Sequence, residues 1–206
     1  MIELFVSSLI TFFVVIDPPG CAPIYAGLSA GASAAQRRAM AIRAVGVATA
    51  ILLVFALVGE DLLRGLGISL ASFRIAGGIM LFLIALEMVF EKRTQRREDR
   101  AAEVAADPEV EDVSIFPMAM PMIAGPGSIA TVMLLMARTS GIEATLVVLA
   151  AMATILLLTL AALIAAGPLM RLLGTRIEAV ITRLLGVLLA ALAVQFVMDG
   201  LQVSLR

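Results

Sequence analysis

One stretch limits what this chain can fold into: Ile16-Asp17-Pro18-Pro19-Gly20-Cys21-Ala22-Pro23, set in an otherwise uncharged run from Leu4 to Gln36. The run is long enough to cross a bilayer. No unbroken helix can pass through it, because its prolines remove amide donors and its glycine loosens the backbone. A helix interrupted in lipid leaves N–H and C=O groups unpaired, at a cost of several kcal/mol each unless protein, water or a ligand satisfies them. A second interruption stands at Ala124-Gly125-Pro126-Gly127-Ser128.

The two are placed alike. Thirteen residues, Leu4 to Ile16, precede the first break and eleven, Pro18 to Leu28, follow it; Val113 to Gly125 and Gly127 to Ala137 give the same lengths around the second. At ~1.5 Å per residue each break lies about 20 Å from where its helix enters, near the middle of a hydrocarbon core ~30 Å thick. Discontinuous helices at corresponding mid-membrane positions of two half-chains are the sequence pointer to a transporter binding site.

Composition agrees: 62% of the residues are hydrophobic and the mean hydropathy is +1.08, values of an integral membrane protein. With no histidine and Cys21 as the one cysteine, an intrachain disulfide, a His/Cys metal cluster and Ser-His catalysis are excluded. Asp17 is the only acid deep in a span, so an aspartyl dyad cannot be built within one chain, and neither an enzyme nor a cofactor is expected. Ala32-Ser33-Ala34 resembles a signal cleavage site, but Met1-Ile2-Glu3 offers no positive leader, and residues 1–30 are read as mature.

Six spans are expected: Ile2–Ser29, broken at Asp17; Ala39–Val58, ended by Gly59-Glu60-Asp61; a third around Ile75–Leu86; Val113–Ala137, broken at Gly125-Pro126-Gly127; Ala144–Ala166, closed by Gly167-Pro168; and Ala179–Met198. The third has only 12 charge-free residues, too few to span, so Arg74 or Glu87 must lie in the interface or face the protein interior. Gln36-Arg37-Arg38 and Arg43 read as a short basic loop. Residues 91–112 read as a solvated mixed-charge linker, dividing a first three-helix unit (1–90) from a second (113–206).

The halves repeat. Pro19-Gly20 matches Pro126-Gly127 at an offset of 107, Leu62 to Gly67 matches Leu169 to Gly174 at the same offset, and Arg74 to Gly77 matches Arg183 to Gly186 at 109. Units of three spans enter the membrane from opposite sides, so the repeat is inverted. Eleven of the fifteen basic residues fall in the loops after spans one, three and five, which makes that face cytoplasmic and puts both termini outside. The fold expected is therefore all-α: a polytopic membrane protein of six transmembrane helices in a 3+3 inverted-topology repeat, with helices one and four broken.

Asp17 costs about 2.5–3.5 kcal/mol or more inside a membrane and defaults to a functional reading: carrying a coupling proton, binding Na⁺ or receiving a substrate ammonium. Its structural alternative is an N-cap for the half-helix that follows. Both half-helices should present free N–H groups and positive dipole ends, suited to an amino acid carboxylate. The candidate substrate contacts are Asp17, Pro19, Gly20 and Cys21 at the first break, and Gly125, Pro126, Gly127, Ser128 and Thr131 at the second. Arg74 and Arg183 are candidates for gating or for snorkelling to headgroups. Gly77-Gly78, and Gly27 with Gly31, suit close helix packing.

Asp17 to Tyr25 resembles the first motif of the MarC family of bacterial inner-membrane proteins, and Phe116 to Ile129 resembles its second. The likeness covers nearly the whole chain; Pro19 stands where the family often has an aliphatic residue. The resemblance implies a transporter of small neutral amino acids such as glycine and alanine. The reading is a secondary transporter working by alternating access, coupled to H⁺ or Na⁺, in a bacterial inner membrane, with lipid rather than nucleic acid as its surroundings. Efflux of other small solutes and a passive channel are the alternatives.

Overall fold

A computed structural model describes residues 1–90, 99 and 112–204, with residues 169–179 described by their backbone alone. Every regular element among them is helical: α1 (Ile2–Ile16), α2 (Pro18–Leu28), α3 (Ala34–Gly65), α4 (Leu70–Val89), α5 (Ser114–Ile123), α6 (Pro126–Met136), α7 (Ile142–Ile164) and α8 (Ala166–Ser204). Among the described residues five helices are long and apolar enough to cross a membrane, α1 and α2 counting together as Ile2–Leu28. The pair α5 and α6, bent by 51°, brings the number to six if taken as one span. Large apolar side chains such as Leu57, Leu83, Leu157 and Leu184 face outward. A surface of that kind suits lipid, where a soluble monomer would keep its apolar patches small.

Local chemistry explains where the helices start. Ser33 caps α3 reciprocally with Gln36, its Oγ accepting from the Gln36 amide at 3.3 Å while Gln36 Oε1 accepts from the Ser33 amide at 2.9 Å. Arg37, Arg38 and Arg43 consequently stand on the first turns of a helix, not in a loop. At its other end α3 runs through Glu60 and Asp61 to Gly65, and Glu60 pairs with Arg64 at 3.0 Å one turn on. Helix α4 begins at Leu70 behind a Ser69 cap and spans 20 residues, so Arg74 lies in its second turn and Glu87 in its last. Gly167-Pro168 does not end a helix. Only Ala165 separates α7 from the 39-residue α8, in which Pro168 occupies the first turn, where its missing amide costs no hydrogen bond.

The fourth span departs most from expectation. Its first half is not regular α-helix. In α5, Phe116 and Met120 are extended (φ −124° and −130°), each precedes a cis-proline, and the bonds run five residues back, from the Met118 amide to Val113 and the Ala124 amide to Ala119. Pro117 and Pro121 explain this, since each withholds a donor and drives the preceding residue out of the helical region. Asp112 anchors the segment, accepting from the Ser114 amide at 2.9 Å and pairing with Arg43 of α3. The remainder of the 91–112 linker, Asp99 apart, lies outside the described residues.

The helices pair in a definite order. α1 and α2 lie on α7, and α5 and α6 lie on α3. α2 also meets α8, α6 meets α4, α1 touches α6, and α4 and α8 form the most extensive pair. That pair runs antiparallel, with Ile75 beside Gly200, Val197 beside Gly78, and Met88 beside Gly186. A Cβ on Gly78 would fall 2.8 Å from the Ala193 carbonyl oxygen, so these backbones approach as closely as glycine allows. Gly77 packs similarly under Leu134 of α6. Gly27 and Gly31 do not: no atom approaches the position their Cβ would take.

Candidate functional site

The first break is a single residue wide. Asp17 stands between α1 and α2 at φ 60°, ψ 64°, a left-handed conformation that aspartate tolerates better than most residues. It is 1% exposed. Its Oδ1 accepts from the Gly20 amide at 3.1 Å, the N-cap bond of α2. Gly20 is required by this contact, because a Cβ there would lie 2.2 Å from Asp17 Oδ2. The Asp17 amide bonds back to Phe13 at 3.0 Å, its carbonyl accepts from the Cys21 amide at 3.0 Å, and the Cys21 thiol points to the Ile16 carbonyl at 3.5 Å. With Pro18 and Pro19 lacking amides, the start of α2 has no free N–H to offer an anion. That corrects the expectation that both half-helices present free donors.

The second break differs. Gly125 is extended (φ −79°, ψ 172°), Pro126 opens α6, and no side chain caps it. The Gly127 and Ser128 amides therefore remain at the positive end of the half-helix without a side-chain acceptor. Gly125 allows the turn, as a Cβ there would lie 2.3 Å from the Pro121 carbonyl oxygen. Gly127 brings the two breaks together: a Cβ on it would lie 3.5 Å from Val15 Cγ1, two residues before Asp17, and 2.6 Å from Ile84 Cδ1 of α4. In this conformation Ile84 fills the space beside Gly127.

Cys21, Gly20, Gly125, Gly127, Ser128 and Thr131 are all buried, while Pro19 is half-buried and Pro126 exposed. The Thr131 hydroxyl is fully buried with no hydrogen-bond partner, one turn beyond Gly127 on α6. Such an orphan is costly in a packed interior. Ser8, Ser114 and Thr182 carry similar orphans. A reading focused on prolines and charges passes over these three, and nothing in their sequence neighbourhoods, Ser8 beside Ser7 and Thr182 beside Arg183, singles them out.

Arg74 and Arg183 are not brought together; they stand near opposite ends of the α4–α8 seam, Arg74 beside Gly200 and Arg183 three residues before Gly186. Arg74 is half-buried and donates to the Ala137 carbonyl, the end of α6, at 3.3 Å. Next to it, Arg138 pairs with Asp199 and covers the Phe196 ring at 4.4 Å. Burial draws the Arg138 pKa below its usual value, opposed by the Asp199 carboxylate. Among the described residues no cluster of three His, Cys, Asp or Glu side chains could hold a metal ion.

Comparison with known proteins places the sequence in a family. A family model described as MarC family integral membrane protein matches residues 2–205. The chain is 35% identical over 202 residues to the UPF0056 membrane protein YvbG of Bacillus subtilis, covering 98% of this chain and 96% of that one. It is 33% identical to a UPF0056 membrane protein of Archaeoglobus fulgidus, over 97% of this chain and 93% of the relative. It is 30% identical to the UPF0056 inner membrane protein YhgN of Escherichia coli K12, over 98% of both. No solved structure matches. With its apolar spans and a match running almost from end to end, the chain is a multi-pass membrane protein that belongs to the MarC family.

Proposed function

We propose that this protein is a secondary transporter of small neutral amino acids, glycine- or alanine-like, driven by H⁺ or Na⁺ through alternating access in the inner membrane of a bacterium. One observation carries the reading: Gly127, at the uncapped start of α6, sits against Val15, two residues from the buried carboxylate of Asp17. On this reading the two breaks offer unlike chemistry to one ligand. An uncapped helix N-terminus suits a carboxylate, and a buried aspartate suits an ammonium, a proton or Na⁺. A zwitterion with a small side chain matches both.

The 3+3 inverted repeat is part of this proposal. Exchanging α1 to α4 with α5 to α8 maps the pairing of α1 and α2 with α7 onto that of α5 and α6 with α3, and α2 with α8 onto α6 with α4. A bundle so paired supports rocking of one half against the other. Arg74, holding the end of α6, and Arg183 are the gating candidates, and the Lys92–Arg100 face is taken as cytoplasmic.

The test is uptake of labelled glycine, alanine and serine into proteoliposomes under separate H⁺ and Na⁺ gradients, with the amino acid methyl esters as competitors. Accumulation under one gradient, with esters competing roughly tenfold or more weakly than the acids, is the expected result, since the ester removes a charge-assisted hydrogen bond. Equilibration indifferent to both gradients would make the protein a channel. Esters competing as well as acids would remove the α6 N-terminus from the site.

A further inference from the structure

Two clefts open where the half-helices end. The first, of about 480 Å³, lies between the end of α2, the start of α3 and the α7–α8 corner, and holds Ser29, Arg37, Arg38 and Gly167. The second, of about 270 Å³, lies between the end of α6, the start of α7 and the α3–α4 corner, and holds Glu60, Met136 and Thr145. Most of their lining residues correspond in pairs. Ser29 and Met136, Arg38 and Thr145, and Glu60 and Gly167 are each 107 apart, and four further pairs share that spacing. This is the offset at which Pro19-Gly20 repeats as Pro126-Gly127. Arg38 and Glu60 belong to opposite ends of α3, 22 residues apart, or roughly 33 Å at ~1.5 Å per residue. The clefts therefore lie on opposite sides of the apolar belt.

We infer that these clefts are the two mouths of one path for a small zwitterion, equivalent by the repeat, and that the C-terminal turns of α2 and α6 open them in alternation. The inference rests on the transport reading above and adds to it the route and the moving parts. Each turn is tied to an adjoining helix by few bonds: the Tyr25 hydroxyl donates to the Arg37 carbonyl on α3, and Arg74 donates from α4 to the Ala137 carbonyl ending α6. Such ties can be exchanged without unpacking the α4–α8 seam. Where the mouths differ they differ in charge. Arg37 and Arg38 line one, while Glu60 lines the other, so a carboxylate is favoured at the first and a cation at the second.

Ala30→Cys and Ala137→Cys place one thiol in each mouth, at positions again 107 apart; Cys21, fully buried, makes the wild-type chain the blank, and lipid-facing Leu83→Cys is the control for a thiol away from water. In vesicles of known orientation, a charged membrane-impermeant methanethiosulfonate should label Ala30→Cys from the Arg37 side only and Ala137→Cys from the opposite side only. Millimolar glycine or alanine should then shift the two rates in opposite directions by about threefold or more, the size of a modest population shift. Ala34→Cys, exposed in the first mouth, and Met136→Cys, in the second, eluting as single species in detergent, replace either variant that misfolds. Labelling of both thiols from one side, or of neither, overturns the mouths. Rates moving together, or not at all, in vesicles that do take up amino acid overturn the alternation. Vesicles that label sidedly but transport no amino acid overturn the transport reading and leave the mouths standing.

Discussion

The α4–α8 seam offers a calculation with a definite sign. Gly78 lies inside α4, where glycine is worse than alanine by about 0.5–1 kcal/mol on propensity alone. A methyl at that position would sit 2.7 Å from Val197 Cγ2, 2.8 Å from the Ala193 carbonyl oxygen and 3.0 Å from the Val197 amide nitrogen. Two of those atoms are backbone, so no side-chain rotation relieves the clash and the helices must move apart. Overpacking of this kind costs roughly 1–3 kcal/mol. The net for Gly78→Ala is a loss of up to about 2.5 kcal/mol, or a melting temperature lower by up to roughly 10 °C for a chain of this size. Gly46, on the outer face of α3, has nothing within reach of a Cβ. Gly46→Ala should therefore keep the whole propensity gain and melt about 1–4 °C higher. The assay follows from the composition: Cys21 is the one thiol and is fully buried, so a thiol-reactive fluorophore reports unfolding in detergent directly. If Gly78→Ala stabilises as much as Gly46→Ala, the seam is not a close backbone contact.

Three other substitutions probe the breaks. Asp17→Asn keeps an oxygen for the Gly20 amide and tolerates the left-handed backbone, so it should melt within about 1 kcal/mol of wild type while losing dependence of uptake on the ion gradient; unchanged ion dependence would reduce Asp17 to a cap. Gly20→Ala should do what Asp17→Asn does not, displacing the carboxylate and costing about 1 kcal/mol or more of thermal stability; a normal melting temperature would contradict the cap geometry. Thr131→Val removes an unpaired buried hydroxyl at nearly constant volume and should raise stability by about 1 kcal/mol while slowing uptake; faster or equal uptake would mark Thr131 as core.

Much of the helix plan was legible because proline and glycine act locally. Pro18 and Pro126 each stand at the first position of a half-helix, where a missing amide is harmless, and the half-helices α2 and α6 begin there in the structure. The same rule, applied to Pro117 and Pro121, forecasts the irregular α5, and treating Val113 to Gly125 as a plain helical half overlooked it. Charged residues misled in the other direction. Arg37, Arg38, Glu60 and Asp61 read as loop because they are polar, yet a capping box and i,i+4 pairing carry α3 through them. The state of the helix amides was readable only in part: Pro18 and Pro19 carry none, and Asp17 suggests an N-cap. Whether the start of α2 offers donors depends on which way Asp17 turns its carboxylate, and that is set by a left-handed backbone that no pattern in the sequence specifies.

That detail changes how the two halves relate. Where they line the clefts, seven pairs of residues correspond at one spacing and the linings are mostly small or apolar. Where they break, they have diverged. Asp17 fills its helix end with its own carboxylate, and Gly125 leaves the matching end open. A fully symmetric pair would present two positive ends and repel a coupling cation, or two carboxylates and repel the substrate's anion. In the transport reading proposed above, one capped and one uncapped end would give a site with both signs of charge near the contact of Val15 with Gly127. In that reading Ile84, which fills the space beside Gly127, would have to withdraw before a zwitterion reached the α6 amides. On the same transport reading, a cation drawn to Asp17 would weaken the bond that its carboxylate accepts from the Gly20 amide, and with it the cap on α2.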